Sequence, residues 1–526
     1  MKHFLCLLAV IFYLTGCGSS ESDNGSTNGM NDKNSSLPVE DENLTLPATD
    51  ANESIVVVIP PQSEQNSTCE SKYSTEILEG RELYIRHCQV CHASDAKSGN
   101  YDIRGSVKAD IDNAMISVPD MVSLDLASQV SDENRELIAL FLQQIWVDPD
   151  VEFGDNCAGV QKITKEGLGN KLFFDANLSL QRSMSCSTCH NPQHGFIDAR
   201  FYDPSHNNPT SGALSLGDDG VSLGGRNAPT ISYAMFTPTF TKTTTGNYLG
   251  GQFHDGRAAT LQDQAKGPFL DSAEMMMPSA QAVIDRVLEN TDYVTEFKAL
   301  YGEEIFNDTQ TAFSALAESI AKFEKTYVFA PFDSKYDRSK LEKNDPNYYE
   351  FNNLEKAGYE LFFDANKTRC VTCHSINAKS ESQNELFTNF QYENIGTPKN
   401  MVALQARDSH TSKIDLQLGG RVDINESAHY GKTKVPTLRN IAITAPYMSN
   451  GVFKQLRTVL EFYNHMSGQD TTDVNPETMQ AWGEAEISET INHEKLRMSL
   501  LTQNEIDALE AFLKTLTDKR YETLIK

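Results

Sequence analysis

A mainly α-helical chain built around three repeated units is what this sequence predicts, and two observations carry the prediction. Three Cys-x-x-Cys-His pentads occur, at Cys88–His92, Cys186–His190 and Cys370–His374. Each follows a similar element: Gly80-x-x-Leu83-Tyr84, Gly169-x-x-Leu172-Phe173 and Gly358-x-x-Leu361-Phe362. The last two continue identically as LFFDAN, Leu172–Asn177 and Leu361–Asn366, which signals an internal duplication. Two thiols one helical turn apart can bond porphyrin vinyl groups, and the histidine that follows can ligate the iron. A redox dithiol does not need that histidine, and a zinc knuckle needs paired half-sites close in sequence, which are absent. Cys88, Cys91, Cys186, Cys189, Cys370 and Cys373 are therefore read as attachment points for three covalently bound haem c groups. His92, His190 and His374 are the proximal ligands.

The elements follow in chain order. Residues 1–16 read as an export signal: Lys2 and His3, then an apolar run from Phe4 to Leu14 too short to span a bilayer. Leu14-Thr15-Gly16-Cys17 resembles a bacterial lipobox, so Cys17 is expected to carry lipid; an ordinary signal with an incidental Cys is the alternative. Gly18 and Ser19 after it suit sorting to the outer membrane, facing the periplasm. Residues 17–68, rich in Ser, Asn, Asp and Glu, cannot bury a core and read as a disordered tether. Residues 69–157 form a first haem domain, closed by an amphipathic helix from Asp132 to Ile145 with Leu137, Ile138, Leu140, Phe141 and Ile145 on one stripe. Its sixth iron ligand is expected at Met121, with Met115 as runner-up. Cys69 and Cys157, left over from ten cysteines, are expected to pair across that domain in an oxidising compartment. Residues 160–340 and 341–526 are the two duplicated haem domains, joined by the Tyr-rich stretch from Asp333 to Tyr349. The formal charge of −28 argues against nucleic acid as a partner.

From about Lys162 onward the chain resembles the bacterial di-haem cytochrome c peroxidases and the MauG-type di-haem enzymes. The resemblance is carried by CSTCHNPQHGFID from Cys186, GGRNAPTIS from Gly224, FHDGRAATLQDQAKGPFLDSAEM from Phe253, CVTCH from Cys370 and KVPTLRNIAITAPYMSNG from Lys434. With the extra domain in front, the whole resembles the tri-haem membrane-attached peroxidases. The implied fold is three cytochrome c-like haem domains, the last two forming a duplicated di-haem peroxidase unit.

Splitting a peroxide O–O bond requires an acid/base group and a hydrogen-bond donor over an open haem face. The resemblance assigns these roles to Glu274 and Gln264. Where the peroxidases often carry a distal His, this chain has Ser215–Gly220 without one, so an open His190 haem is expected. His194 and His206 are the nearest alternatives and are expected in solvent-facing loops. The His374 haem stores and passes electrons, with Tyr463 or Met448 as its distal ligand, or none. The family's inter-haem Trp is His254 here, so hole transfer must use tunnelling or another residue such as Tyr430 or Tyr447. The resemblance also implies a calcium ion held by the Asn227 side chain and the carbonyls of Thr444 and Pro446.

Three readings follow. The first is an enzyme that reduces hydrogen peroxide to water, with electrons relayed from the His92 haem through the His374 haem. The second is a MauG-like oxidase or oxygenase acting on a protein or organic substrate, and the third a non-enzymatic multihaem carrier. The electron donor is a quinol, a small cytochrome or a cupredoxin. The lipid anchor makes a membrane the further partner, and related peroxidases are commonly homodimers.

Overall fold

The computed structural model describes residues 163–202, 208–345, 347–376, 385–407, 414–469 and 473–526. Ahead of them it describes 108–117, 130–147 and eight residues between Ile77 and Ser106. The expected signal, the tether, Cys17, Cys69, Cys91, His92, Met121, Cys157 and His206 lie outside the described residues.

One helix crossing recurs three times. In each unit, the glycine of the Gly-x-x-Leu-aromatic element meets the backbone of a later, closing helix. A Cβ on Gly80 would lie 1.9 Å from the Leu137 carbonyl oxygen, one on Gly169 1.9 Å from that of Ser319, and one on Gly358 1.8 Å from that of Ala508. Four residues further along both helices, aromatic rings meet. Tyr84 and Phe141 have centroids 5.1 Å apart, Phe173 and Phe323 5.4 Å, and Phe362 and Phe512 5.2 Å. Gly and aromatic four apart lie on one helix face, so the pair sets both the depth and the rotation of the crossing.

Local chemistry fixes the helices that cross. Thr164 caps Lys165–Phe174 and Asp308 caps Thr309–Phe323 through their side chains. Asn352 with Glu355, and Thr502 with Glu505, form capping boxes at the starts of Asn353–Phe363 and Gln503–Lys514. The shared LFFDAN segment ends both leading helices in the same manner. Asp175 accepts from the Asn177 amide at 2.8 Å and Asp364 from the Asn366 amide at 2.9 Å, so the chain turns out of the helix.

Gly358→Ala is expected to destabilise the holoprotein. Helix propensity favours Ala by about 1 kcal/mol, but the carbonyl contact forces the helices apart at an overpacking cost of about 1–3 kcal/mol. Denaturant unfolding measures the sum; an unchanged midpoint would show that the crossing tolerates a methyl group.

Two large cores result. One gathers Leu172, Phe173, Phe269, Phe297, Leu316 and Phe329; the other gathers Tyr336, Phe362, Phe387, Phe453, Phe462 and Phe512. A third, smaller cluster holds Tyr84, Cys88, Met115, Ile138 and Phe141. Here one expectation is corrected. In Asp132–Val147, Leu140 points outward at 37% exposure, while Ala139 and Leu142 are buried. Ile138, Phe141 and Leu142 share a face at i, i+3 and i+4; Leu140 falls about 200° from Ile138 around the helix. Met115, the runner-up ligand, lies in the helix Lys108–Ser117 and is buried in this cluster.

The Asp333–Tyr349 stretch contains a short helix, Lys335–Arg338, and its Tyr336 ring packs against Phe387 and Phe512. Strand is sparse: Thr241–Lys242 pairs with Tyr248–Leu249, and Tyr392–Glu393 with Thr433–Lys434. The second ribbon brings Lys434 to the cavity described next.

Candidate haem site and its distal pocket

Both complete pentads are closed alike. The His190 amide donates to the Cys186 carbonyl and the His374 amide to that of Cys370, each at 2.9 Å. The imidazole Nδ1 then donates to a backbone carbonyl downstream: His190 to Phe196 at 3.1 Å, His374 to Phe387 at 3.0 Å. Phe196 and Phe387 both carry φ of 55°, in the left-handed region. That conformation is unusual for a bulky residue, and its recurrence marks a shared geometric need: it turns the carbonyl back to the ring. With Nδ1 committed as donor, Nε2 is the nitrogen left for a metal. Burial lowers both imidazole pKa values, that of His374 to about 4, so the rings are neutral and able to ligate.

A single cavity of about 1040 Å³ is lined by Cys189, His190, Cys370, Cys373 and His374. That is at the top of the usual range of about 300–1,000 Å³ for a small-molecule site. Cys186, Cys189, Cys370 and Cys373 are unpaired, as thioether formation requires. Thiol pairs, a preset imidazole and a large cavity fit covalently bound haem.

The same cavity is lined by Gln264 and Glu274. Gln264 sits on Leu261–Leu270, capped by Thr260, and Glu274 in the turn that follows. Burial pushes the Glu274 carboxyl up to about 7; Asp271 adds to the rise and Arg257 opposes it. The His-less stretch Ser215–Gly220 is tied directly to this turn. The Asp218 amide donates to the Glu274 carbonyl at 2.8 Å. The Asp218 carboxylate accepts from Ser179 Oγ at 2.9 Å, from Ser183 Oγ at 2.7 Å and from the Gln181 amide. Asp218 thus anchors the loop on which the pocket wall rests.

Tyr463 and Met448 both line the cavity too. Burial, then the Cys373 and Cys370 sulfurs, raise the Tyr463 phenol well above its ordinary range. His254 lines it as well, its Nε2 donating to the Asn227 carbonyl at 2.9 Å; burial pushes its pKa down to about 4, so it is neutral. Asn227, Thr444 and Pro446 share the cavity wall. The Asn227 amide nitrogen donates to the Ala213 carbonyl at 3.2 Å, leaving the side-chain oxygen as the end that suits a cation. Tyr447 lines the cavity and donates to the Ile441 carbonyl at 2.9 Å, whereas Tyr430 packs against Gly419. His194 departs from expectation: it is half-buried and stacks on Tyr202 with centroids 5.7 Å apart.

Several residues escaped sequence reasoning. Arg226 bridges Asp255 at 2.6 Å and Asp415 at 2.7 Å, clamping segments 189 residues apart beside Asn227. Although burial opposes it, Arg226 and Arg257 hold the Asp255 carboxyl down to about 2. Lys434 donates to the Gly251 carbonyl, and burial lowers its pKa to about 7. Glu324, 4% exposed at the end of Thr309–Phe323, is pushed by burial up to about 8 and lies close enough to Cys186 to raise that thiol's pKa. Arg226 and Lys434 stood inside quoted motifs, but nothing in a motif names the partner.

Fold and cavity together define a c-type haem oxidoreductase with two haem-binding halves. The sequence profile described as di-haem cytochrome c peroxidase matches residues 164–345. Methylamine utilization protein MauG of Paracoccus denitrificans is 42% identical over 361 residues, covering 68% of this chain and 90% of that protein. Cytochrome c551 peroxidase of Nitrosomonas europaea is 30% identical over 351 residues, covering 66% and 79%. The crystal structure of the diheme peroxidase BthA from Burkholderia thailandensis matches with a TM-score of 0.59 and 28% identity, covering 69% and 88%. The chain belongs to the di-haem cytochrome c peroxidase/MauG family.

Proposed function

We propose that the protein reduces hydrogen peroxide to water at the His190 haem. The observation that carries the reading is Glu274: a carboxyl with a pKa near neutrality, sharing a cavity with His190 and Gln264. When bound, haem would supply the redox-active iron that gives electrons to the peroxide as its O–O bond breaks. Glu274 as carboxylate takes the proton from the inner peroxide oxygen and, now protonated, delivers it to the outer one. Gln264 orients the peroxide by hydrogen bonding.

Electrons enter from a third haem on Cys88, Cys91 and His92 and pass through the His374 haem. The Gly80–Leu137 crossing, matching the crossings at Gly169 and Gly358, supports that third unit. Met121 is its proposed sixth ligand. The His374 haem takes Tyr463 as distal ligand, with Met448 as alternative, and Asn227, Thr444 and Pro446 hold calcium. The protein is proposed to face the periplasm, lipid-anchored at Cys17 on the outer membrane, with Cys69 paired to Cys157. A small cytochrome or a cupredoxin supplies electrons, or a quinol if the anchor is instead in the inner membrane, and the assembly is a homodimer.

A second reading, MauG-like oxidation of a protein or organic substrate, is favoured by Tyr463 in the cavity and by the 42% identity. His254 in place of the inter-haem Trp counts against it, because imidazole is harder to oxidise than indole.

Two measurements test these assignments. Because the carboxylate form of Glu274 is the competent one, kcat/KM for peroxide should fall as pH drops below about 7 and level off above it. A profile flat from pH 5 to 9 removes Glu274 from the proton path. Tyr463→Phe should abolish any phenolate-to-iron charge-transfer band and turn the His374 haem high-spin; an unchanged spectrum points to Met448.

A further inference from the structure

The two proximal histidines are joined through the protein interior by a route that does not use His254. His190 Nδ1 donates to the Phe196 carbonyl, and the Phe196 ring stacks on Phe329 with centroids 4.3 Å apart. The Phe329 carbonyl accepts from the Tyr233 amide at 2.9 Å. From the other side, His374 Nδ1 donates to the Phe387 carbonyl, and the Arg439 guanidinium lies 5.6 Å from the Phe387 ring and 5.4 Å from that of Tyr233. Both paths converge on Tyr233, which also lines the cavity.

Tyr233 is built unlike an ordinary core tyrosine. It is 2% exposed, and its hydroxyl donates to the carboxylate of Asp518, which is 0% exposed. Asp518 is held from its other side by Asn440, whose Nδ2 donates to the second carboxylate oxygen at 2.8 Å. Arg520 and Asp333 are its charged neighbours, and Arg439 and Asp337 those of the phenol. Burial raises the phenol well above its ordinary range, so at neutral pH it keeps its proton; burial raises Asp518 to about 6, which leaves it mostly ionised there. A buried phenol loses an electron readily only if its proton has somewhere to go, and a carboxylate in direct hydrogen bond provides that. Tyr447, which donates to a backbone carbonyl, has no such acceptor. Tyr293 also donates to a carboxylate, Asp175 at 3.0 Å, but does not line the cavity.

We propose that Tyr233 is a redox-active residue relaying single oxidising equivalents between the two haem sites, with Asp518 as its proton acceptor. One electron leaves the ring for the oxidised haem of one half, the O–H bond breaks, the proton joins the Asp518 carboxylate, and a neutral phenoxyl remains. An electron from the haem of the other half, with return of the same proton, restores the phenol. In turnover the oxidant is hydrogen peroxide, so this role rests on the peroxidase or oxidase reading above.

The test uses oxidised holoprotein and a photogenerated ruthenium(III) polypyridyl oxidant, followed by freeze-quench EPR. A tyrosyl radical should appear, vanish in Tyr233→Phe and persist in Tyr293→Phe. Asp518→Asn, which keeps the hydrogen bond but cannot take the proton, should slow its formation about 100-fold or more. A signal that survives in Tyr233→Phe, or none in the wild type, overturns the proposal. If Tyr233→Phe does not accumulate as holoprotein, 3-fluorotyrosine placed at position 233 decides: fluorine splitting of the signal supports the assignment and an unsplit signal rejects it. A parallel arm replaces the photo-oxidant with peroxide. Haem bands that do not respond to it sink the enzymatic reading, while the photo-oxidant arm still decides Tyr233.

Discussion

Glu274→Gln is expected to cut peroxide turnover about 10²–10⁴-fold, the range for loss of a positioned acid/base group. The amide keeps the shape and the hydrogen-bonding reach of the carboxyl but cannot shuttle a proton. Haem content and chemical reduction of the haems should be unchanged, because the covalent attachments are elsewhere. Turnover within a few-fold of wild type would remove Glu274 from the mechanism. Loss of haem would instead show a structural role for the turn that Asp218 supports.

Arg439→Met is expected to cost about 3 kcal/mol of stability, because it removes the fully buried cation that pairs with the mostly buried Asp337 carboxylate. Arg439 is 0% exposed, and its guanidinium reaches Asp337 at 2.8 Å, Ser334 Oγ at 3.2 Å and the Glu385 carbonyl at 2.7 and 2.9 Å. Its planar group also lies 5.0 Å from the Phe332 ring and 5.8 Å from that of Tyr336. Methionine fills most of the volume but leaves Asp337 with only the Ser334 amide and hydroxyl, without its cation. Asp337→Asn in the Arg439→Met background should recover part of the loss, since no bare charge then remains. Equilibrium unfolding of the three holoproteins measures both steps, and a single substitution costing under 1 kcal/mol would contradict the assignment.

The local parts of this molecule were legible in the sequence, and its long-range pairings were not. The pentads and the LFFDAN repeat specify short-range geometry: one helical turn and one Asp-capped exit. Gln264 and Glu274 were marked out by the family resemblance of one segment, and both line the cavity. Leu140 was misplaced because an unbroken apolar run from Leu137 to Leu142 contains more candidates than one helix face can bury. Tyr233 and Asp518 are 285 residues apart, and Arg226 and Asp415 189 apart. Such pairs are set by how the two halves close on each other, which no spacing rule reports. His194 is a local exception: its stacking partner Tyr202 is brought to it by the intervening turn, which the sequence pattern did not reveal.

The peptide carbonyls of Phe196 and Phe387 have an electronic consequence. An amide oxygen is a weaker proton acceptor than a carboxylate, so neither the His190 nor the His374 imidazole gains imidazolate character. Bound to iron, both histidines would therefore be modest donors, and alike in the two halves. On the proposed assignments, a contrast in reactivity between the two centres would then come from the other cavity residues, Glu274 in one half and Tyr463 or Met448 in the other.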